Sequence, residues 1–333
     1  MTAGEPRSDS RNSADQRSAR PGNSPHATAV PAPQPASFAS VDASPVAQNR
    51  RRVAYRDAHN HLQDVWLAPH LERVCAQLEA LPIRAAVVNG TVDNDWSAVA
   101  ELARRFSWVK PSYGVHPWLV GNRGTHWLEA LKSLLKEDAA AGVGEIGLDR
   151  WILDSARPDD PRLAGLRRAP LEEQREVFTI QLQLAAAENR AVTIHCLDAW
   201  GMLTDVLANS PLPARGFLLH AYGGSSELAD HFARHGAYFS FNGYFLGDRK
   251  ERQREVFRTI PLDRLLVETD APSMPLPQAW RTYKLPPTAH GQPVNHPANI
   301  EAVYAGLASL RGLPLEELAQ IVDANFRRFF GYA

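Results

Sequence analysis

The stretch VAYRDAHNHLQDVWLAPHLERVCAQLEALPIRAAVVNG, residues 53–90, decides how this chain is built. It opens on a short apolar run, VAYRDAH (53–59), and closes on another, RAAVVNG (84–90). Between them, APHLERVCAQLEAL (68–81) repeats its apolar residues at three- and four-residue spacing, the period of a helix with one buried face. Strand, helix and strand in that order make a right-handed βαβ unit with parallel strands. An open nucleotide-binding sheet would need a glycine-rich phosphate loop after the first strand, and none is there.

The alternation continues down the chain. WVKPSYGVH (108–116), VGEIGLD (143–149), AVTIHC (191–196), GFLLHAY (216–222), AYFSFNG (237–243) and RLLVETD (264–270) complete a set of eight candidate strands. Amphipathic stretches lie between them, such as DWSAVAELARRF (95–106), THWLEALKSLLKEDAAA (125–141) and LEEQREVFTIQLQLAAAENR (171–190). Eight such units predict an α/β protein of the (β/α)8 TIM-barrel class. A length of 333 residues with 44% hydrophobic content supplies the core.

Residues 1–52 read differently, rich in Ser, Ala, Pro and Arg with Phe38 as the only aromatic. Such a segment cannot bury enough to offset its chain entropy, so a disordered tail is expected over 1–52 and the barrel domain over 53–333. Seven arginines against four acids leave the tail at +3; the remaining 29 bases and 33 acids leave the rest at −4. A mildly acidic domain does not coat nucleic acid through net charge, so a polyanionic substrate would have to be gripped locally. Cys75 and Cys196, the two cysteines, stand outside any CxxC, which predicts reduced thiols and a cytoplasmic location. No apolar run is long enough for a membrane span, so no membrane partner is expected.

The candidate chemistry follows from the barrel. Active sites of this architecture lie at the C-terminal ends of the strands. There the chain carries His59 and His61 after the first strand, His116 after the third and Glu145 at the fourth. His195, His220 and Asp270 follow at the fifth, sixth and eighth. In a strand His59 and His61 point the same way, with Ala58 and Asn60 on the other side. The imidazoles and carboxylates outnumber what one tetrahedral ion needs, which suggests two divalent cations sharing a carboxylate, with Glu145 as the natural bridge. Zinc, manganese and magnesium all suit this donor set. Asp270 is expected to bind one ion and accept a proton from the attacking water.

DAHNHL (57–62), GVHPW (114–118), GEIGLD (144–149), IHCLDAWG (194–201), HAYGGS (220–225), YFSFNGYF (238–245) and VETDAP (267–272) follow, in order, the motif series of the TatD family of metal-dependent hydrolases. The resemblance covers about residues 53–330, including the closing NFRRFFG (325–331). It implies an amidohydrolase-type barrel, a deoxyribonuclease activity and a monomer. It also implies one ion held by His59, His61, Glu145 and Asp270 and another by Glu145, His195 and His220. His116 would contact phosphate or the transition state, so that Asp270, Glu145 and His116 form the catalytic set, and Glu268 would orient a ligand from behind.

One motif departs from the family pattern: HCFSG is replaced here by HAYGGS, which keeps His220 and an aromatic at Tyr222 but loses the cysteine. Two long loops are expected at the catalytic mouth, residues 150–170 and 271–300. The first carries Arg150, Trp151, Arg157, Arg162, Arg167 and Arg168; the second Trp280, Arg281, Tyr283, Lys284, His290 and His296. Aromatics interleaved with bases suit a single-stranded nucleic-acid end, with His116, Arg150, Trp151, Tyr222, Arg281 and Lys284 as expected contacts. The same centre would also serve a carbonyl substrate, as in an amidase, lactonase or aminoacyl-ester deacylase. A binding protein with a vestigial centre is disfavoured by the intact ligand set.

Overall fold

A computed structural model describes residues 53–332. The tail expected over 1–52 lies outside the described residues. Eight short strands form one parallel sheet in sequence order: β1 (Tyr55–Asn60), β2 (Ile83–Asn89), β3 (Val109–Tyr113), β4 (Gly142–Asp149), β5 (Val192–Leu197), β6 (Phe217–Leu219), β7 (Ala237–Asn242) and β8 (Leu265–Glu268). Every residue of β1, β4 and β7 is buried, as expected of parallel strands covered by helices on one side and by the barrel interior on the other. The helices are α1 (Leu71–Glu79), α2 (Trp96–Arg105), α3 (Trp127–Glu137), a single turn α4 (Trp151–Asp154), α5 (Leu171–Ala187), α6 (Trp200–Ala208), α7 (Ser226–Arg234), α8 (Glu251–Thr259), α9 (Ile300–Arg311) and α10 (Leu315–Phe330). None of them is long and apolar enough to cross a membrane.

Each helix buries the stripe its sequence lays out: Val74, Cys75 and Leu78 on α1, and Leu318, Val322, Phe326, Phe329 and Phe330 on α10. The last strand returns to the first. Asp270 N–H donates to the His59 carbonyl at 2.9 Å, and His61 N–H to the Ala271 carbonyl at 2.7 Å. The Thr269 hydroxyl donates to Asp57 Oδ2 at 2.5 Å across the same seam. Below it, Arg56 pairs with Asp323 of α10 and lies over the Phe326 ring. This is the barrel the alternation predicts.

Two strands are irregular where the chemistry sits. In β1, the three steps from Asp57 to Asn60 face only two on β2, so an extra residue is accommodated in the stretch that carries His59. In β4, the three steps from Val143 to Ile146 face two on β5, so the extra residue falls in the stretch that carries Glu145. Such bulges bend a strand and re-aim a side chain. Strand ends also differ from the sequence reading. β3 stops at Tyr113, and His116 instead caps a 3-10 turn that Pro117 opens. β8 stops at Glu268, which leaves Asp270 in the left-handed region with φ of 51°.

Candidate active site

The two bulges and three strand ends converge on one carboxylate. Glu145 is buried at the mouth of the barrel, and its two oxygens face different partners. Oε2 lies 3.3 Å from His59 Nε2 and 3.2 Å from His61 Nε2. Asp270 Oδ1 lies 3.6 and 3.5 Å from the same two nitrogens. Oε1 lies 2.7 Å from His220 Nε2, 3.0 Å from His195 Nδ1 and 3.4 Å from His116 Nε2. All six residues expected as ligands, with His116, are thus brought together.

The residues behind the donors select which imidazole nitrogen faces inward. His61 Nδ1 donates to the Asn89 carbonyl at 2.8 Å, which leaves its Nε2 bare and 3.1 Å from His59 Nε2. His195 donates through Nε2 to Asp149 Oδ2 at 2.8 Å, which leaves Nδ1 toward Glu145. His116 Nδ1 accepts the Trp118 backbone N–H at 3.1 Å, so its proton sits on Nε2 and points at the cluster. Ligand atoms around one ion at about 2.1 Å stand roughly 3.0 to 3.4 Å apart, the spacing of His59 and His61 from Oε2 and of His195 from Oε1, with His220 closer at 2.7 Å. Lone pairs of imidazole and carboxylate crowded at this distance fit divalent cations. Three groups bring their ligand atoms close enough together to share an ion among the described residues: His59, His61 and Asp270; His59, Glu145 and His220; His116, Glu145 and His195, in the last of which His116, with its proton on Nε2, donates rather than coordinates.

Electrostatics divide the donors: His59 is held neutral, whereas at His61, His195 and His220 burial is outweighed by the neighbouring carboxylates, which favour a proton that a cation would have to displace. Burial, with the nearby His220 imidazole, pushes His59 down to about 4, so it is neutral and ready to coordinate. Burial alone would raise Glu145, yet the imidazoles of His220, His116 and His59 hold its carboxyl well below the usual range. Burial also opposes charge on His195, but Asp149 and Glu145 outweigh it and raise the imidazole to about 9. Glu145 is therefore a fixed anion in a ring of imidazoles.

A family model described as TatD related DNase matches residues 56–331. The chain belongs to this family. It is a metal-dependent hydrolase of the TatD type. YabD of Bacillus subtilis, an uncharacterized metal-dependent hydrolase, is 27% identical over 275 residues, covering 82% of this chain and 98% of the relative. The 3'-5' ssDNA/RNA exonuclease TatD of Escherichia coli K12 is 29% identical over 255 residues, covering 75% of this chain and 89% of that protein. The crystal structure of YjjV, a TatD homolog from Escherichia coli K12, superposes with a TM-score of 0.70 at 28% identity, covering 84% of this chain and 98% of the other.

Several supporting groups in this TatD-family site escape sequence reasoning. Asp149 closes GEIGLD, yet nothing in the motif announces that its carboxylate takes the His195 proton, the Trp118 indole N–H at 2.7 Å and the Ile152 N–H at 2.8 Å. Asp57 sits behind His59, accepting its backbone N–H at 3.2 Å. Glu268 stands where the sequence reading expects it, 3.7 Å from His220 Nδ1, and is itself held by Ser240 and by Asn242 at 3.2 Å.

The expected substrate contacts divide. Arg150 and Lys284 are exposed, and Trp151 is half-buried on the β4 loop. Tyr222 is a correction: it is 1% exposed, donates its hydroxyl to the Ser225 carbonyl at 2.8 Å, and packs edge-on to Trp200 and Phe239. Ala221 takes a positive φ of 40° just after His220, and the tyrosine beyond it faces the core. Arg281 spends its Nε–H on the Leu276 carbonyl at 2.5 Å, bracing the β8 loop from inside. His296 is buried against Gln77, 2.7 Å away, outside the cluster.

Proposed function

We propose that this protein is a nuclease that hydrolyses phosphodiester bonds at the ends of single-stranded nucleic acid, DNA foremost, with two divalent cations. The observation that carries the reading is Glu145, one buried carboxylate whose Oε2 faces His59, His61 and Asp270 while its Oε1 faces His195 and His220. His59, His61, Glu145 and Asp270 would hold one ion; Glu145, His195 and His220 the other. When bound, such a pair supplies Lewis acidity toward a phosphoryl oxygen and lowers the pKa of water.

The chain's own groups supply the rest. Asp270 accepts the proton of the attacking water, a role suited to a carboxylate beside the His59 and His61 nitrogens. His116 presents Nε2–H, fixed by the Trp118 N–H on its other nitrogen, to the oxygen that gains charge. Exposed Arg150 and Lys284 meet phosphates at the rim, a local positive grip on a domain whose net charge is negative. The likeness to a protein named as a 3'-5' ssDNA/RNA exonuclease supports this substrate class and suggests attack from the 3' end.

The test is cleavage of an end-labelled single-stranded oligonucleotide by metal-stripped protein resupplied with magnesium, manganese or zinc, with Glu145→Ala as the control for contaminating nuclease. A metal-dependent ladder absent from the control is expected. Intact oligonucleotide with every metal, in protein shown to hold two ions, would move the assignment to a carbonyl substrate.

A further inference from the structure

Among the described residues the large apolar side chains left exposed are Val65, Leu197, Tyr244 and Trp280. Each stands at the C-terminal end of a strand or on the loop that follows it, after β1, β5, β7 and β8. Among the described residues, large side chains of this kind are therefore absent from the exposed surface of the opposite end of the barrel. Exposed apolar groups confined to one functional face mark a surface that meets a ligand.

Two of the aromatic groups at the mouth are built rather than scattered. On the β3 and β4 loops, Trp118 and Trp151 stack with ring centroids 5.8 Å apart and planes 23° apart. The Arg162 guanidinium lies 5.6 Å from one ring and 5.1 Å from the other, paired with Asp160 yet 39% exposed. Trp118 also stands 5.7 Å from His116 and donates its indole N–H to Asp149, the carboxylate that holds His195. On the β7 loop, Tyr244 is exposed with Lys250 Nζ 4.6 Å over its ring. Its backbone N–H donates at 2.9 Å to Asn242, which holds Glu268 behind His220. Trp118 is thus tied to His195 through Asp149, and the Tyr244 backbone to His220 through Asn242 and Glu268, both histidines that face Glu145 Oε1.

In an eight-stranded barrel in sequence order, the β3 and β4 loops stand across the mouth from the β7 loop. We propose that Trp118 with Trp151 and Arg162 on one side, and Tyr244 with Lys250 on the other, are base-stacking subsites for the two nucleotides that flank the bond to be cut. The inference rests on the nucleic-acid reading proposed above. A ring with a cation over it suits a nucleotide, because the base stacks on the π face while the cation meets the phosphate. Stacking tolerates every base, so the subsites grip single strands without reading sequence and exclude a duplex whose bases are already stacked.

The test uses full-length, metal-loaded protein and oligothymidylate strands carrying a single abasic residue on one or other side of the cleaved bond. Trp151→Ala and Tyr244→Ala are each expected to lower kcat/KM about five- to a hundredfold on the intact strand. For each variant one abasic position should remove the same factor, and variant and abasic strand together should lose no more than either alone. The two positions should lie on opposite sides of the cleaved bond. Trp151→Phe and Tyr244→Phe, which keep a ring, show the same coupling at reduced size where an alanine variant does not fold. Losses that multiply at every position, or couplings on the same side, overturn the proposal. Unchanged rates in the alanine variants, with cleavage by the parent protein intact, overturn the subsites and leave the nuclease reading standing. Failure of the parent protein to cut any strand overturns both.

Discussion

Glu145 is the residue on which the centre turns, because among the described residues no other carboxylate faces both groups of imidazoles. Replacing it with alanine should abolish both ion positions, whereas His195→Ala should weaken mainly the one at Oε1; metal content after gel filtration checks this, and equal loss in the two variants contradicts the bridge. Asp149 acts one step further out. Orienting partners of metal-bound histidines are worth roughly 10- to 100-fold in metal affinity, so Asp149→Asn should weaken one ion by that factor and spare the other, as read by chelator competition. At this scale the sequence was most legible in its histidines, since His59, His61, His195 and His220 all stand at or near the end of a strand. It was least legible in Asp149 and Tyr222. The strand around the first carries a bulge and a left-handed alanine precedes the second, and local pattern alone shows neither which way such a side chain turns.

The bulged β4 is the element that delivers Glu145, and it survives only because Gly147 follows. Gly147 has φ of 143°, and a Cβ there would come 2.0 Å from the His195 carbonyl. Gly147→Ala should therefore cost about 1 to 3 kcal/mol in urea unfolding and disturb metal content as well, because the clash lies on the His195 backbone. The loop after β4 has its own anchor. Glu173 of α5 accepts from Arg167 and Arg123, both at 2.7 Å, and these hydrogen bonds hold its carboxyl down to about 2. A depressed carboxylate stabilises above its usual value near 4.5 and loses that contribution as the pH falls through about 2. Loop proteolysis should accordingly rise on acidification below about 4.5 and be raised at neutral pH in Glu173→Gln. Strands and helices were legible from periodicity, but their ends were not: His116 and Asp270, which the pattern puts on strands, fall beyond the ends of β3 and β8.

At the scale of the molecule, metal and protons compete. In the metal-free protein the raised His195 imidazole stabilises the fold fully below its unfolded value near 6.5 and ceases to as the pH rises through about 9. A cation must displace that proton, so metal affinity should rise with pH across the same window, with proton release seen by calorimetry in buffers of different ionisation heat. Stripping the metal should lower Tm, since ligands that bind only the folded state stabilise it by mass action. Removal of residues 1–52, proposed as a tail outside the barrel domain, should leave Tm and turnover nearly unchanged.

The amino-acid sequence by itself determined the barrel and the membership of its centre. Helical and strand periods are local properties, and eight alternations of them admit one closed parallel sheet whose strand ends must meet. What only the tertiary structure decided is the division of labour within that meeting. Which oxygen of Glu145 faces which histidine, which nitrogen each imidazole presents, and which aromatics reach the rim all depend on hydrogen bonds between residues far apart in the chain. The Trp118 indole on Asp149 and Asn242 on Glu268 exist only once the loops of different strands have been brought to one mouth.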